Sequence, residues 1–317
     1  MRSRILSFIV ALCVFDAGTA LANWQYAGGY MYNPGYADDG SRTTISLRGG
    51  ASFAMSKMKN EVGSVVYSYC VNPDTGEFYP TDATGGCGSY SGFEYAGTGT
   101  LKSLGASKMQ EVGFVAGASI GWVLPETPQW RLELGWDHFS KVDYNRSPLF
   151  SGEMPLSEGY TVFLDSGSVQ STMATDIISV MAYYDFFNGV QKPIRTMIPY
   201  IGLGFGYADT QTVMNLADPW GDLSAVEDLT NFGTVNSNGV LQFNRSTTTT
   251  VNIAGVAALG FSVGINENLF VDFGLRASYL PKVKYTLVNS TETRRLDWFS
   301  AKNLIYASAM FGLRVEF

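Results

Sequence analysis

Eight segments of this chain alternate apolar and polar side chains at every second position. A period of two is the mark of a strand with two unlike faces. The segments are Thr43–Met55, Glu111–Val123, Trp130–Ser140, Ala174–Phe187, Met197–Ala208, Thr248–Ile265, Leu269–Leu280 and Leu304–Phe317. In the third, Trp130, Leu132, Leu134 and Trp136 alternate with Arg131, Glu133, Gly135 and Asp137. In the seventh, Val271, Phe273, Leu275, Ala277 and Tyr279 alternate with Asp272, Gly274, Arg276 and Ser278. The last sets Phe311, Leu313, Val315 and Phe317 against Gly312, Arg314 and Glu316. A soluble sandwich also alternates. It would not explain why the better-filled face is so consistently the one without charge.

Composition says which solvent that face meets. Charged residues make up 15% of the chain, against about 25% in a typical soluble domain. Aromatics are 14%, and there are 35 glycines. The best apolar run of the mature chain, Gly255–Ile265, is too short to cross a bilayer as a helix, which takes about 20 residues. The connections alternate in length. Short links are "LPETPQ", "NGVQKPIRT" and "NEN"; long ones cover 56–110, 141–173, 209–247 and 281–303. Short turns on one side and long loops on the other fit a transmembrane barrel, whose closure leaves no unpaired edge in lipid. The expected fold is therefore all-β: an eight-stranded antiparallel transmembrane β-barrel with four long external loops and three short periplasmic turns.

The N-terminus reads as a cleaved signal peptide, residues 1–22. Arg2 and Arg4 precede an apolar run from Ile5 to Phe15, and Ala20-Leu21-Ala22 gives the cleavage site. Residues 23–42 read as a periplasmic lead-in, with a plug inside the barrel as the alternative, and 43–317 as the barrel domain. The expected location is the outer membrane of a Gram-negative bacterium. The net charge is −7 and the leader removes two bases, so nucleic acid is not an expected partner. Two cysteines, Cys70 and Cys87, survive cleavage. In an exported chain they suggest a disulfide stapling the first long loop; two free thiols are the alternative.

The strands "TISLRGGASFAM", "PYIGLGFGYA" and "FGLRVEF" resemble those of the opacity and outer-membrane-protein-A-like small barrels. The pairing of "YYDFFN" with "PYIGLGFGYA" is similar to the rickettsial major surface antigen group within them. The resemblance implies surface-exposed antigens, adhesins and structural barrels, some called porins. The closing pattern of Phe311, Leu313, Val315 and Phe317 resembles the carboxy-terminal signal read by the barrel-assembly machinery. Expected partners are that machinery, outer-membrane lipid, and a host-surface or cell-envelope ligand for the loops. No cofactor and no metal are expected.

Inward charges form the first candidate site: Arg48, Arg131, Glu133, Asp137, Asp272, Arg276, Arg314 and Glu316. Eight strands enclose a space just wide enough for side chains, so these charges must be paired or hydrated. Asp272 and Arg314 are expected to pair. A plug of salt bridges is one reading, and a gate for a narrow porin-like channel is the other. The single histidine opens a third. His138 and Ser140 in "WDHFS" fall on one outward face and resemble the catalytic dipeptide of lipid A deacylases. Glu153 would be a distant orienting group, and Lys141 stands where that family has asparagine. Asp218, Asp222, Glu227 and Asp228 lack the spacing of a calcium loop and read as caps of a short surface helix. The leading expectation is a structural, adhesin-like surface antigen, not an enzyme.

Overall fold

The computed structural model describes residues 42–60, 64–75, 77–80, 86–88, 91–148, 150–155, 161–166, 168–188, 192–217, 233–235, 241–243, 246–288 and 295–317. The signal peptide, the lead-in up to residue 41 and the acids at 218–228 lie outside the described residues. Among those described there is no helix.

The strands, in chain order, are β1 (Arg42–Asn60), β2 (Ser64–Val71), β3 (Phe78–Pro80), β4 (Glu94–Ser103), β5 (Ser107–Val123), β6 (Trp130–Arg146), β7 (Phe150–Pro155), β8 (Thr161–Ser166), β9 (Ser168–Asp185), β10 (Met197–Ala217), β11 (Gly233–Val235), β12 (Leu241–Phe243), β13 (Ser246–Gly264), β14 (Leu269–Val288) and β15 (Arg295–Glu316). Eight of them, β10-β13-β14-β15-β1-β5-β6-β9, are joined side by side, and β9 pairs back onto β10. Every one of these pairings is antiparallel, so the sheet closes into a barrel. The closing seam runs from Thr44↔Glu316 to Asn60↔Phe299. At its end Phe317 N donates to Thr43 O at 2.9 Å, so the last residue is tied into the wall.

Each expected strand is present, and several are longer than the alternation suggests. A membrane strand needs about 9–11 residues; β10 has 21 and β15 has 22. The extra length lies at the loop end, and there the faces exchange character. On the turn side of β1, Ile45, Leu47 and Phe53 point out while Ser46 and Ser52 are buried inside; beyond Met55 the outward residues are Lys57 and Lys59, and Met58 is buried. β14 does the same, with Asp272 and Arg276 inside opposite Phe273 and Leu275, then Val283 and Tyr285 inside opposite Lys282 and Lys284. The chain is inside-out where it meets lipid and right-side-out above. Aromatic residues mark the turn-side rim: Trp130 packs against Tyr184 at 5.1 Å between ring centroids, and Tyr184 against Phe186 at 4.9 Å. Such girdles sit at membrane interfaces.

The long connections are not structureless. β3-β2-β4-β7-β8 form a second sheet beyond the loop end of the barrel. It joins the first connection to the second through Lys102↔Ser151 and Ser103↔Phe150. A disulfide links Cys70, buried on β2, to Cys87. It closes a loop of 17 residues in sequence separation. A crosslink of that span removes about 3 kcal/mol of chain entropy from the unfolded loop. Reduction is expected to open this sheet to limited proteolysis between residues 64 and 103 while the barrel keeps its heat-resistant gel mobility. Equal cleavage with and without reductant would show that the bond holds nothing.

Candidate functional site: a filled lumen below an outer sheet

All eight of the inward charges named from the sequence meet in the turn-side half of the lumen. Arg314 Nε lies 3.0 Å from Asp272 Oδ2, and its Nη1 is in contact with Glu316. Arg314 Nη2 also donates to Ser262 Oγ at 3.0 Å. Lys192 Nζ bridges Glu316 Oε1 at 2.7 Å and Asp185 Oδ2 at 2.9 Å. Arg131 joins Asp185, at 3.4 Å, to Glu133. Arg48 Nη1 continues from Glu133 at 3.7 Å, and its Nε reaches Asp137 Oδ1 at 2.7 Å. Arg276 Nη2 closes on Asp137 Oδ2 at 2.7 Å. The result is one chain of alternating sign: Asp272, Arg314, Glu316, Lys192, Asp185, Arg131, Glu133, Arg48, Asp137, Arg276. Five acids meet five bases. Buried charge is tolerated when paired and hydrogen-bonded in this way.

Two members escape the sequence reading. Asp185 stands on the inward face of β9, next to tyrosines and phenylalanines that drew attention to the outer wall. Lys192 belongs to the turn between β9 and β10, where no alternation marks a direction. Its ammonium reaches back into the barrel mouth. Burial, then the Arg314 guanidinium, hold it below its ordinary pKa against the pull of Asp185 and Glu316. Phe270 lies under both cations, 4.6 Å from Arg314 Cζ and 5.4 Å from Lys192 Nζ. Small residues make room for the large ones. A Cβ at Gly202 would stand 2.5 Å from the Tyr183 ring, and that ring receives the Arg131 guanidinium at 4.6 Å.

The loop-side half of the lumen is a hydrophobic core, which the sequence reading did not anticipate. Phe139 and Tyr306 stack at 4.2 Å. Around them Met58, Met173, Ile177, Tyr285 and Phe299 are all buried. Its phenol groups find partners locally: Tyr306 and Thr175 share a hydrogen bond of 2.8 Å, and Tyr285 OH donates to Met173 Sδ at 3.6 Å. A cavity of about 40 Å³ remains in the charged layer, beside Arg48, Arg131 and Tyr200. That is room for about one water.

His138 and Ser140 do not share a face. The register slips between Phe139 and Val142, so Phe139 and Ser140 both turn inward while His138 stays on the outer wall. A bulge of this kind places two successive residues on one side. Ser140 Oγ accepts a hydrogen bond from Phe114 N at 2.9 Å, above Gly113, where a Cβ would stand 2.4 Å from that oxygen. His138 Nδ1 instead meets Asp176 Oδ1 at 2.8 Å, shared with Trp136 Nε1 at 3.2 Å. A serine nucleophile needs its base within hydrogen-bond reach; here a strand wall separates them. The side chain of Glu153 lies outside the described residues. Ser140→Ala is expected to cost about 1–3 kcal/mol in urea unfolding, because a backbone N–H of the barrel wall loses its acceptor. A neutral result would mean that water replaces the hydroxyl.

Among the described residues no cluster of metal-ligating side chains occurs. The closing residues Phe311, Leu313 and Phe317 face outward, and Phe311 packs on Phe273 at 5.2 Å.

No protein-family model and no curated protein sequence matches the chain. Among solved structures it is similar to Neisserial surface protein A at 14% identity, covering 86% of this chain and 97% of that one, with a TM-score of 0.33. The outer membrane protein OprG of Pseudomonas aeruginosa aligns at 11% identity over 86% and 95%, TM-score 0.34. Ail, the attachment invasion locus protein of Yersinia pestis, solved with a heparin analogue, aligns at 10% over 87% and 99%, TM-score 0.30. By its own closed register and apolar outer wall, the chain is an eight-stranded antiparallel membrane barrel.

Proposed function

We propose that the protein is a surface-exposed barrel of the bacterial outer membrane that acts through its outer sheet, as an adhesin-like antigen. The carrying observation is the combination of a filled lumen with a disulfide-stapled sheet built from two connections. The charged lattice and the aromatic core fill the described lumen, which supports a role for the loops over transport. In this reading the turns lie in the periplasm, the signal peptide directs export, and the second sheet meets a host-surface or cell-envelope ligand. The sequence resemblance to opacity-type barrels and to the rickettsial surface antigens within them supports the same role. Catalysis by His138 and Ser140 has no support in the geometry described above, so no enzymatic step is assigned.

The test is to replace residues 64–103 and 150–166 with short turns and to display both forms on cells. Full-length protein is expected to bring cells onto host epithelium or immobilised matrix. The shortened barrel is expected to lose that attachment while still inserting. Undiminished attachment by the shortened barrel would overturn the proposal.

A further inference from the structure

The outer wall carries a charge pattern that adhesion does not use. Lys108 on β5 is the register partner of Lys57 on β1. Lys57 is in turn the partner of Lys302 on β15, and Lys302 of Lys282 on β14. Four lysines therefore stand side by side on four adjacent strands. Directly opposed side chains in a sheet have Cβ atoms about 4.5–5.5 Å apart, and like charges at that spacing destabilise. Among the described residues no acid forms an ion pair with Lys57, Lys108 or Lys302. These three line a groove of about 430 Å³ together with Met55, Gln110 and Asn303.

The row sits where the wall changes from apolar to polar. Lower on the wall, and reaching past β14 onto β13 and β10, the surface is a shallow depression of about 490 Å³. Ala257, Ala277 and Ala307 lie in one lateral row there, bordered by Leu203 and Phe53. On the far side of the barrel the corresponding outward residues are acidic: Asp176 and Asp209 are register partners, next to His138. One side thus gathers cations above an apolar trough, and the other gathers carboxylates.

We propose that the wall formed by β13, β14, β15, β1 and β5 is a binding site for a phosphate-bearing lipid of the outer leaflet. The phosphate lies among Lys57, Lys108 and Lys302, and the acyl chains lie in the alanine trough. Charge complementarity selects the occupant: an anionic headgroup relieves the repulsion within the row, and only a lipid fills both halves. The proposal draws on the orientation given above for the choice of leaflet alone, and it stands or falls independently of adhesion.

The test is native mass spectrometry of the refolded full chain in neutral detergent, titrated with bis-phosphorylated lipid A. The same lipid without phosphates, and inorganic phosphate alone, are the comparisons. Wild-type protein is expected to retain the phosphorylated lipid. The triple variant K57Q/K108Q/K302Q is expected to bind it on the order of 100-fold more weakly, at about 1 kcal/mol for each basic residue near a charged membrane surface. The triple arginine variant should retain it, and Lys102→Gln, on the outer sheet, should change nothing. If the triple glutamine variant fails to refold, Lys302→Gln alone is expected to weaken binding about fivefold. Equal retention by the wild type and the glutamine variants would overturn the site. Equal retention of the dephosphorylated lipid would remove the phosphate from it. Inorganic phosphate binding as tightly as the lipid would make it a free-anion site and overturn the lipid assignment.

Discussion

Replacing Arg314 by methionine is expected to destabilise the barrel by about 3–5 kcal/mol, the range seen when one partner of a buried ion pair is removed. Arg314 is fully buried and holds Asp272, Glu316 and Ser262 together. Methionine keeps much of the volume, so the loss is electrostatic: two carboxylates face each other with one fewer cation between them. Adding Asp272→Asn should restore part of the stability, because it removes one of the stranded charges. Urea unfolding in lipid vesicles, followed by tryptophan fluorescence, measures both. A loss near 1 kcal/mol or less, the value of an exposed pair, would mean that water solvates the lattice.

Phe139→Ala is expected to cost a comparable 3–5 kcal/mol, the usual penalty for truncating a buried aromatic. Phe139 stacks on Tyr306 in the middle of the loop-side core, and both are fully buried. The wall strands are held by their neighbours and cannot collapse inward, so the cavity should persist. Tyr306→Ala also removes the shorter of the two hydrogen bonds of the Thr175 hydroxyl, leaving the one to Thr210 at 3.2 Å. The double variant should therefore lose less than the two single losses added, since the two rings share one contact. Planar-bilayer recording gives a second readout. Wild type should be silent, and the double variant should begin to pass current only if the charged layer below also admits water. Steady single-channel steps from the wild type would mean that the core is not closed in the membrane.

The barrel was legible in the sequence because lipid enforces strict alternation, and it stopped being legible where that enforcement stops. The expected strands end at Met55, Ser140, Ala208 and Leu280, whereas β1, β6, β10 and β14 run on to Asn60, Arg146, Ala217 and Val288. At those points the apolar positions move from the outer to the inner face. A search for one continuous apolar face reads the exchange as a strand end. Slips of register add to the effect: the one after Phe139 shifts every later residue of β6 by one position, and it is what separates Ser140 from His138. The charges of the lumen were visible because a charge on a polar face of a narrow barrel has nowhere else to go. Asp185 and Lys192 were not, since one was masked by aromatic neighbours and the other sits on a turn. The outer sheet was hidden for a different reason. Its strands, such as Phe78–Pro80 and Thr161–Ser166, are short, and its two halves join across separate connections at β4 and β7; neither trait leaves a periodic trace.

The exchange of faces along the wall also works as a depth gauge. A barrel with an apolar exterior throughout could ride higher or lower as the bilayer thickens or thins, at a cost of only fractions of a kcal/mol per ångström. Here a shift of two residues along a strand, about 7 Å, would press Lys57, Lys108 and Lys302 into hydrocarbon. The opposite shift would drag Trp130, Tyr184 and Phe186 into water. The protein therefore has one vertical setting. Thickness changes must be taken up by the surrounding lipid, and whatever the second sheet presents is held at a constant height above the membrane.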